Sequence, residues 1–221
     1  MSTHAVFAEH DHEPVRGLPG PLPDGERLLW QGAPSWRSLA WHAYHVRTLS
    51  VYFALMVLAR GAYLYAQGAG LLESLQGCVG PALFALGALA ILTGIAALAA
   101  HRTVYSITTR RVLIRQGVAL ESTINLPFAQ IDGASIKERR DGSGDIAIVM
   151  RPAQRVSYLW LWPHVRPGRL TRPEPSLRSL PQPVQTGRIL SDAFLAAHPS
   201  RTARGNDSVV VPTHSAAGVT A

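Results

Sequence analysis

From Ser74 to Ala100 the chain runs for 27 residues with no ionisable group except Cys78. Such a stretch leaves few options. About 20 apolar residues at about 1.5 Å each cross a hydrocarbon core of roughly 30 Å, whereas a helix packed into a soluble core keeps a polar side. A transmembrane helix is predicted near 78–100. A second apolar run, near 46–66, reads VRTLSVYFALMVLARGAYLYA and carries Arg60 past its midpoint. A central arginine costs about 2.5–3.5 kcal/mol on insertion scales, which the flanking Leu, Val, Phe and Met offset. Its long side chain can reach the interface beside Tyr63 and Tyr65. That anchor is the simpler account of Arg60, which is also a candidate contact for a lipid phosphate, for Glu73 or for a client carboxylate.

Charge is sharply segregated. Residues 48–100 hold two charges, Arg60 and Glu73, whereas 101–221 hold sixteen basic and eight acidic residues. The connector from Gln67 to about Gly77 has Glu73 but no Lys or Arg, while Arg37 and Arg47 precede the first span and Arg102, Arg110 and Arg111 follow the second. The positive-inside rule then places both termini in the cytoplasm, around a helical hairpin. Residues 1–30 lack the apolar core of a cleavable signal. A length of 221 residues excludes a large multidomain enzyme, and one cysteine excludes both an intrachain disulfide framework and a cysteine zinc site.

On the second span Gly80, Gly87 and Gly94 recur every seven residues, with Ala90 and Ala97 three positions further on. Small residues let helix backbones approach closely, where packing drives association. Two readings stay open: packing against the chain's own first helix, or a face for another copy or a client helix, with Gly87 and Gly94 at the contact.

After Ala100 the pattern changes from helical to strand-like. HRTVYSITTRRVLIRQG gives two β-branched runs about a Thr-Thr-Arg-Arg turn, and in DGSGDIAIVM the alternating Ile146, Ile148 and Met150 follow a hairpin-turn signal. A further strand is expected over Val156–Trp162. The proline-rich stretch 163–183 is limited to edge strand or loop. From Thr186 to Ala197, the residues Ile189, Leu190, Ala193, Phe194 and Ala197 form one helical face ended by His198-Pro199. Residues 200–221 are small and polar apart from Val209–Val211, which predicts a disordered tail. The expected fold is α+β: a two-helix transmembrane hairpin followed by a small β-barrel or sandwich capped by a C-terminal helix.

The residues from Val104 to Gly117 (VYSITTRRVLIRQG) resemble the opening motif of the bacterial pleckstrin-homology (PH) domain family. Ile124-Asn125-Leu126-Pro127, Ile131-Asp132-Gly133-Ala134 and Gly144-Asp145-Ile146 are similar to its following strands. The segments Leu22-Pro23-Asp24-Gly25-Glu26-Arg27-Leu28-Leu29-Trp30-Gln31-Gly32 and Trp36-Arg37-Ser38, together with Tyr158 to His164 and Arg166-Pro167-Gly168, extend the resemblance over most of 18–198. In that order they resemble the PuhB family of photosynthetic complex assembly proteins of purple bacteria. The resemblance implies a factor in the bacterial inner (intracytoplasmic) membrane that assists assembly of the reaction centre and its core light-harvesting antenna. The expected organisation is a cytoplasmic N-terminal segment at 1–45, a hairpin at 46–100, a bacterial PH-like domain at 101–199 and the tail at 200–221.

Candidate chemistry is sparse. Arg110, Arg111, Lys137, Arg139 and Arg140 form basic groups, each worth about 1 kcal/mol toward an anionic leaflet, and they are candidate lipid or partner contacts. Nucleic acid is not an expected partner, because Tyr158 to Trp162 lacks interleaved basic residues and no nucleic-acid motif appears. His42 and His45 share an i,i+3 spacing that a metal accepts, but no neighbouring cysteine or carboxylate completes a site. His4, His10 and His12 lie among Glu9, Asp11 and Glu13 and read as an acidic tail. Ala97-x-x-x-His101 resembles the pigment-binding spacing of antenna polypeptides, which makes His101 a weak bacteriochlorophyll ligand; Arg102 would put such a ring at headgroup level, so no cofactor is expected. No hydrolase, zinc-protease, P-loop or dinucleotide motif is present, and Asp141 to Asp145 has the turn glycines of a hairpin without the lysine of a phosphate cradle. The expected function is therefore non-catalytic: a scaffold for reaction-centre or core-antenna polypeptides or, alternatively, a membrane-tethered PH-like lipid- or protein-binding module without a photosynthetic client.

Overall fold

The computed structural model describes residues 17–18, 20–117, 121–151, 158–168, 171, 173–199 and 210–212. They form two compact units, one from Trp36–Ala100 and one from the residues on either side of it.

The first unit is helical. A short helix α1 (Trp36–His42) leads through residues 43–45 into α2 (Val46–Ala66), and α3 (Leu71–Arg102) follows a four-residue connection. Helix α3 starts seven residues ahead of the sequence estimate of 78, and Pro81 stands in its third turn, where the helix still propagates. Both α2 and α3 are long and apolar enough to cross a membrane, and α2 buries none of its residues. The interior of this unit is a small cluster: Leu39, Ala40, Ala43 and Tyr44 pack on Ala96, Ala99 and Ala100 of α3, with Val46 and Leu92 beside them.

The second unit is built from two four-stranded sheets. Strands β1 (Leu28–Gly32), β2 (Val104–Thr108), β3 (Arg111–Gln116) and β4 (Ser122–Pro127) form an antiparallel meander in sequence order. A 3-10 turn at Phe128–Gln130 leads to β5 (Ile131–Glu138), which pairs antiparallel with β6 (Gly144–Met150), and β6 with β7 (Ser176–Leu180). Helix α5 (Pro183–Ala197) follows and packs on β5 and β6. Alternation on each strand sends Tyr105, Ile107, Val112, Ile114, Ile124 and Leu126 of one sheet and Ile136, Ile146, Ile148 and Leu177 of the other into one core, which Leu190, Ala193 and Phe194 of α5 close. Phe128 and Phe194 meet edge to face at 5.8 Å. Each such side chain is worth about 1.5–3 kcal/mol of burial.

Three features depart from the sequence reading. The expected N-terminal segment supplies a strand: β1 pairs with β2, with Trp30 opposite Ile107 and Gly32 opposite Tyr105. The helices are thus inserted between the first and second strands of one sheet. LLWQG has no clean period-2 alternation, and its partner lies more than 70 residues away, so local pattern gives no sign of it. Second, Tyr158–Leu161 is a single helical turn, α4, not a strand; Pro163 has no N–H for a ladder, and Leu161 and His164 are drawn into the interior. The Val156–Ser157 part of that expectation lies outside the described residues. Third, the tail expected to be disordered lies outside them too, except that Val210–Pro212 form β8, parallel to β5.

Candidate functional site

The polar chemistry of the described residues concentrates in two clusters, both in the β unit. The first begins at Glu26, which enters a turn through its amide to the Pro23 carbonyl at 2.9 Å. Its side chain is 1% exposed and accepts hydrogen bonds from Arg111 Nε (2.8 Å), Arg111 Nη2 (2.6 Å) and Thr108 Oγ1 (2.7 Å). Thr108 Oγ1 in turn accepts from the amides of Arg110 and Arg111 at 3.2 and 3.0 Å. Thr109 and Arg27 exchange backbone and side-chain bonds. The Thr-Thr-Arg-Arg turn is therefore a clamp on the segment entering β1. The Arg111 hydrogen bonds hold the Glu26 carboxyl below its ordinary range, and Glu26 raises Arg111.

The second cluster surrounds His164, which is fully buried. Its Nδ1 lies 2.7 Å from the Tyr105 hydroxyl and its Nε2 3.1 Å from Thr103 Oγ1, so in the neutral ring one nitrogen accepts and the other donates. The Arg178 amide donates to the Tyr105 hydroxyl at 3.1 Å. Burial, and then the nearby Arg178 charge, lower the His164 pKa to about 3; burial also keeps the Tyr105 phenol protonated. Arg178 lies beside Asp145, whose Oδ1 accepts from the Ser179 amide at 2.8 Å and whose Oδ2 is ion-paired with Arg139. Ser179, at φ 55°, also accepts from the Ser35 amide at 2.8 Å. At Gly144 a Cβ would sit 2.5 Å from the Lys137 carbonyl and 2.7 Å from Pro183, so the hairpin and α5 close onto a bare backbone.

These partners decide the fate of the basic candidates. Arg111 and Arg139 are ion-paired with Glu26 and Asp145 and brace the fold. Arg110, Lys137 and Arg140 are exposed. Lys137 and Arg140 make no ion pair among the described residues, while Arg110 lies over Gly25 and adds its charge to the field on Glu26. In the helical unit Arg60 and Glu73 are both exposed and form no ion pair with each other. A Cβ added at Gly80, Gly87 or Gly94 would meet nothing within 4 Å. The glycine edge is therefore not packed on the chain's own first helix. The close approaches in this unit are instead Gly77 to Leu64 and Gly61 to Cys78. His42 turns Nδ1 to the Ser38 carbonyl at 3.1 Å, His45 is a left-handed residue ahead of α2, and His101 is exposed in the last turn of α3. His4, His10 and His12 lie outside the described residues.

Sequence reasoning missed Glu26, Asp145, His164 and Arg178 as a group. Glu26 is 85 residues from Arg111 and Tyr105 is 59 from His164. Only the strand pairing joins them.

Comparison with known proteins adds kinship. The bacterial PH domain family matches residues 48–193, a span that begins inside α2, includes α3 and runs on from β2 into α5. A protein of Rhodobacter capsulatus described as an uncharacterized 23.7 kDa protein in the puhA 5′ region is 38% identical over 201 residues, covering 89% of this chain and 90% of the relative. No solved structure matches the chain.

Proposed function

The chain belongs to the bacterial PH domain family, and from that premise we propose that it is a non-catalytic assembly factor of the inner membrane. Helices α2 and α3 anchor it as a hairpin with both termini in the cytoplasm, and the PH-like unit works at that face. Its clients are polypeptides of the photosynthetic reaction centre and core antenna. The observation that carries this reading is the relative in the puhA 5′ region, whose alignment covers about nine-tenths of both chains and so takes in the two apolar helices of this chain as well as its β unit. The physical role is to hold a client helix: the open Gly87–Gly94 edge of α3 offers a surface where backbones can approach closely.

The test is affinity isolation of the tagged full-length chain from gently solubilised host membranes. Reaction-centre or antenna polypeptides should co-elute and be lost on Gly87→Leu with Gly94→Leu. An eluate of bait and lipid alone would overturn the client-holding role. A second reading rests on exposed Arg110, Lys137 and Arg140: a lipid-binding PH-like module without a photosynthetic client. It predicts that charge reversal at Lys137 and Arg140 abolishes a preference of the full-length chain for anionic over zwitterionic vesicles, and that no reaction-centre or antenna polypeptide co-elutes with the unaltered chain.

A further inference from the structure

Helix α1 is the least expected part of the helical unit. One side of it, with Leu39 and Ala40 and then Ala43 and Tyr44, packs against Ala96, Ala99 and Ala100 of α3. Val46, the first residue of α2, joins the same cluster. This locates α1 at one particular level: the end of the helix pair where α2 begins and α3 finishes. Helix α2, with 21 residues, is about 31 Å long, the thickness of a hydrocarbon core. A helix attached at its first residue therefore stands at the hydrocarbon boundary.

The other side of α1 has an unusual composition. Trp41 is 57% exposed and Trp36 42% exposed, and Arg37 is exposed between them, with its guanidinium 5.5 Å from the Trp36 ring centroid. Arg37 and Trp41 are four apart and share a face. Two tryptophans open to water are unfavourable in a soluble protein, but the ring of tryptophan, apolar with one N–H donor, prefers the membrane–water boundary. Charge agrees: residues 33–72 contain Arg37, Arg47 and Arg60 and no Asp or Glu. An acid-free, arginine-bearing face complements anionic headgroups, each basic residue being worth about 1 kcal/mol near such a surface.

We infer that α1 is an interfacial anchor: it lies in the headgroup layer, docked on α3 by Leu39, Ala40 and Ala43, and presents Trp36, Arg37 and Trp41 to anionic lipid. The inference rests on the membrane reading of α2 and α3. Its occupant is the lipid surface, because the surface that α1 exposes continues directly into a helix sized to that same bilayer. Arg37 and Arg47 fix the depth by holding phosphates, and the tryptophans fill the space beneath them.

The test is depth measurement on the full-length chain in vesicles of zwitterionic lipid with a share of phosphatidylglycerol. Cys78 donates to the Val57 carbonyl, so Cys78→Ser keeps the donor and clears the background for single nitroxide labels. Labels go at Trp41→Cys, at Trp36→Cys as a second reading of the same surface, at Phe84→Cys (76% exposed on α3) and at Asp192→Cys, exposed on α5 of the β unit. Collision with dissolved oxygen against a water-soluble nickel chelate reports depth. The expected order is Phe84 most oxygen-favoured, Asp192 most nickel-favoured, and Trp41 and Trp36 between them. Trp41 and Trp36 as nickel-accessible as Asp192, with Phe84 still deep, would overturn the anchor and leave the hairpin standing. Labels at 41 and 36 shielded from both reagents would also overturn it, showing a protein in place of lipid. A nickel-accessible Phe84 would remove the hairpin and the anchor together.

Discussion

The helical unit and the β unit use the same kinds of apolar residue in opposite ways. Phe84, Leu86 and Ile91 of α3 are each more than 60% exposed, whereas Phe194, Ile146 and Leu177 of the β unit are at or below 1%. Helix α2 buries nothing, while β7 is buried at every position. The difference shows how each unit is held. A sheet satisfies its backbone polar groups by pairing and must then hide its faces in a shared core. A helix satisfies its backbone within itself, so its side chains are free to meet an apolar solvent. The polar clusters follow the same division: both lie in the β unit, where distant segments must be fastened together.

The contrast should break first in the core. Phe194→Ala should destabilise the β unit by about 3–5 kcal/mol, read as a lower denaturation midpoint in detergent, whereas Phe84→Ala should leave that midpoint unchanged. Equal losses from the two would mean that Phe84 is part of a protein core after all.

Next comes the clamp. Glu26→Gln leaves Arg111 without its carboxylate at a nearly dry site, and a loss of roughly 3 kcal/mol is expected. Chemical denaturation measures it, and a loss below a few tenths would show that β1 is held by pairing alone. In the helical unit the comparable change is Phe84→Asp, which costs about 2.5–3.5 kcal/mol in a bilayer. It should lower the fraction resistant to alkaline carbonate extraction while the β unit stays folded.

Acid separates the units more finely. Folded His164 has its pKa lowered to about 3 against about 6.5 unfolded. The unfolded chain therefore takes up a proton that the folded chain refuses. Stability from this group is complete above pH 6.5 and falls as pH drops, by up to about 1.4 kcal/mol per pH unit. Glu26, whose carboxyl is lowered from 4.5, adds its own loss only below that value. The window from pH 6.5 to 5 thus isolates His164, and His164→Gln should flatten the slope there. The smallest effect is expected from Lys137→Ala and Arg140→Ala, at most about 0.5 kcal/mol on stability, so any larger change they cause in lipid or client binding belongs to function.

How far the sequence could be read follows the same physics. The apolar runs of α2 and α3 were legible because a long uncharged stretch has a purely local signature. The hairpins of Ile107 with Val112 and Ile136 with Ile146 were legible because turn residues and alternation are local too. Strand β1 was hidden because its pairing spans the inserted helices, and Tyr158–Leu161 was misread because its alternating aromatics imitate a strand. Of the candidate site, the basic residues were visible but their roles were not: Arg111 and Arg110 are neighbours in sequence, yet one is tied to Glu26 and the other is exposed, a distinction that only the fold creates. Likewise the glycine edge was plain in the sequence, while its lack of a partner within the chain required the structure.

The proposed role of this chain is service to the assembly of the photosynthetic complex. The most direct measurement is deletion of its gene in the host, with the assembled reaction centre and core antenna quantified by their absorption in intact membranes against total extracted pigment. A marked fall in assembled complex with pigment synthesis unchanged is expected, restored by the full chain but not by the Gly87→Leu, Gly94→Leu variant. Normal complex levels in the deletion strain, or a build-up of unligated pigment precursors, would contradict it.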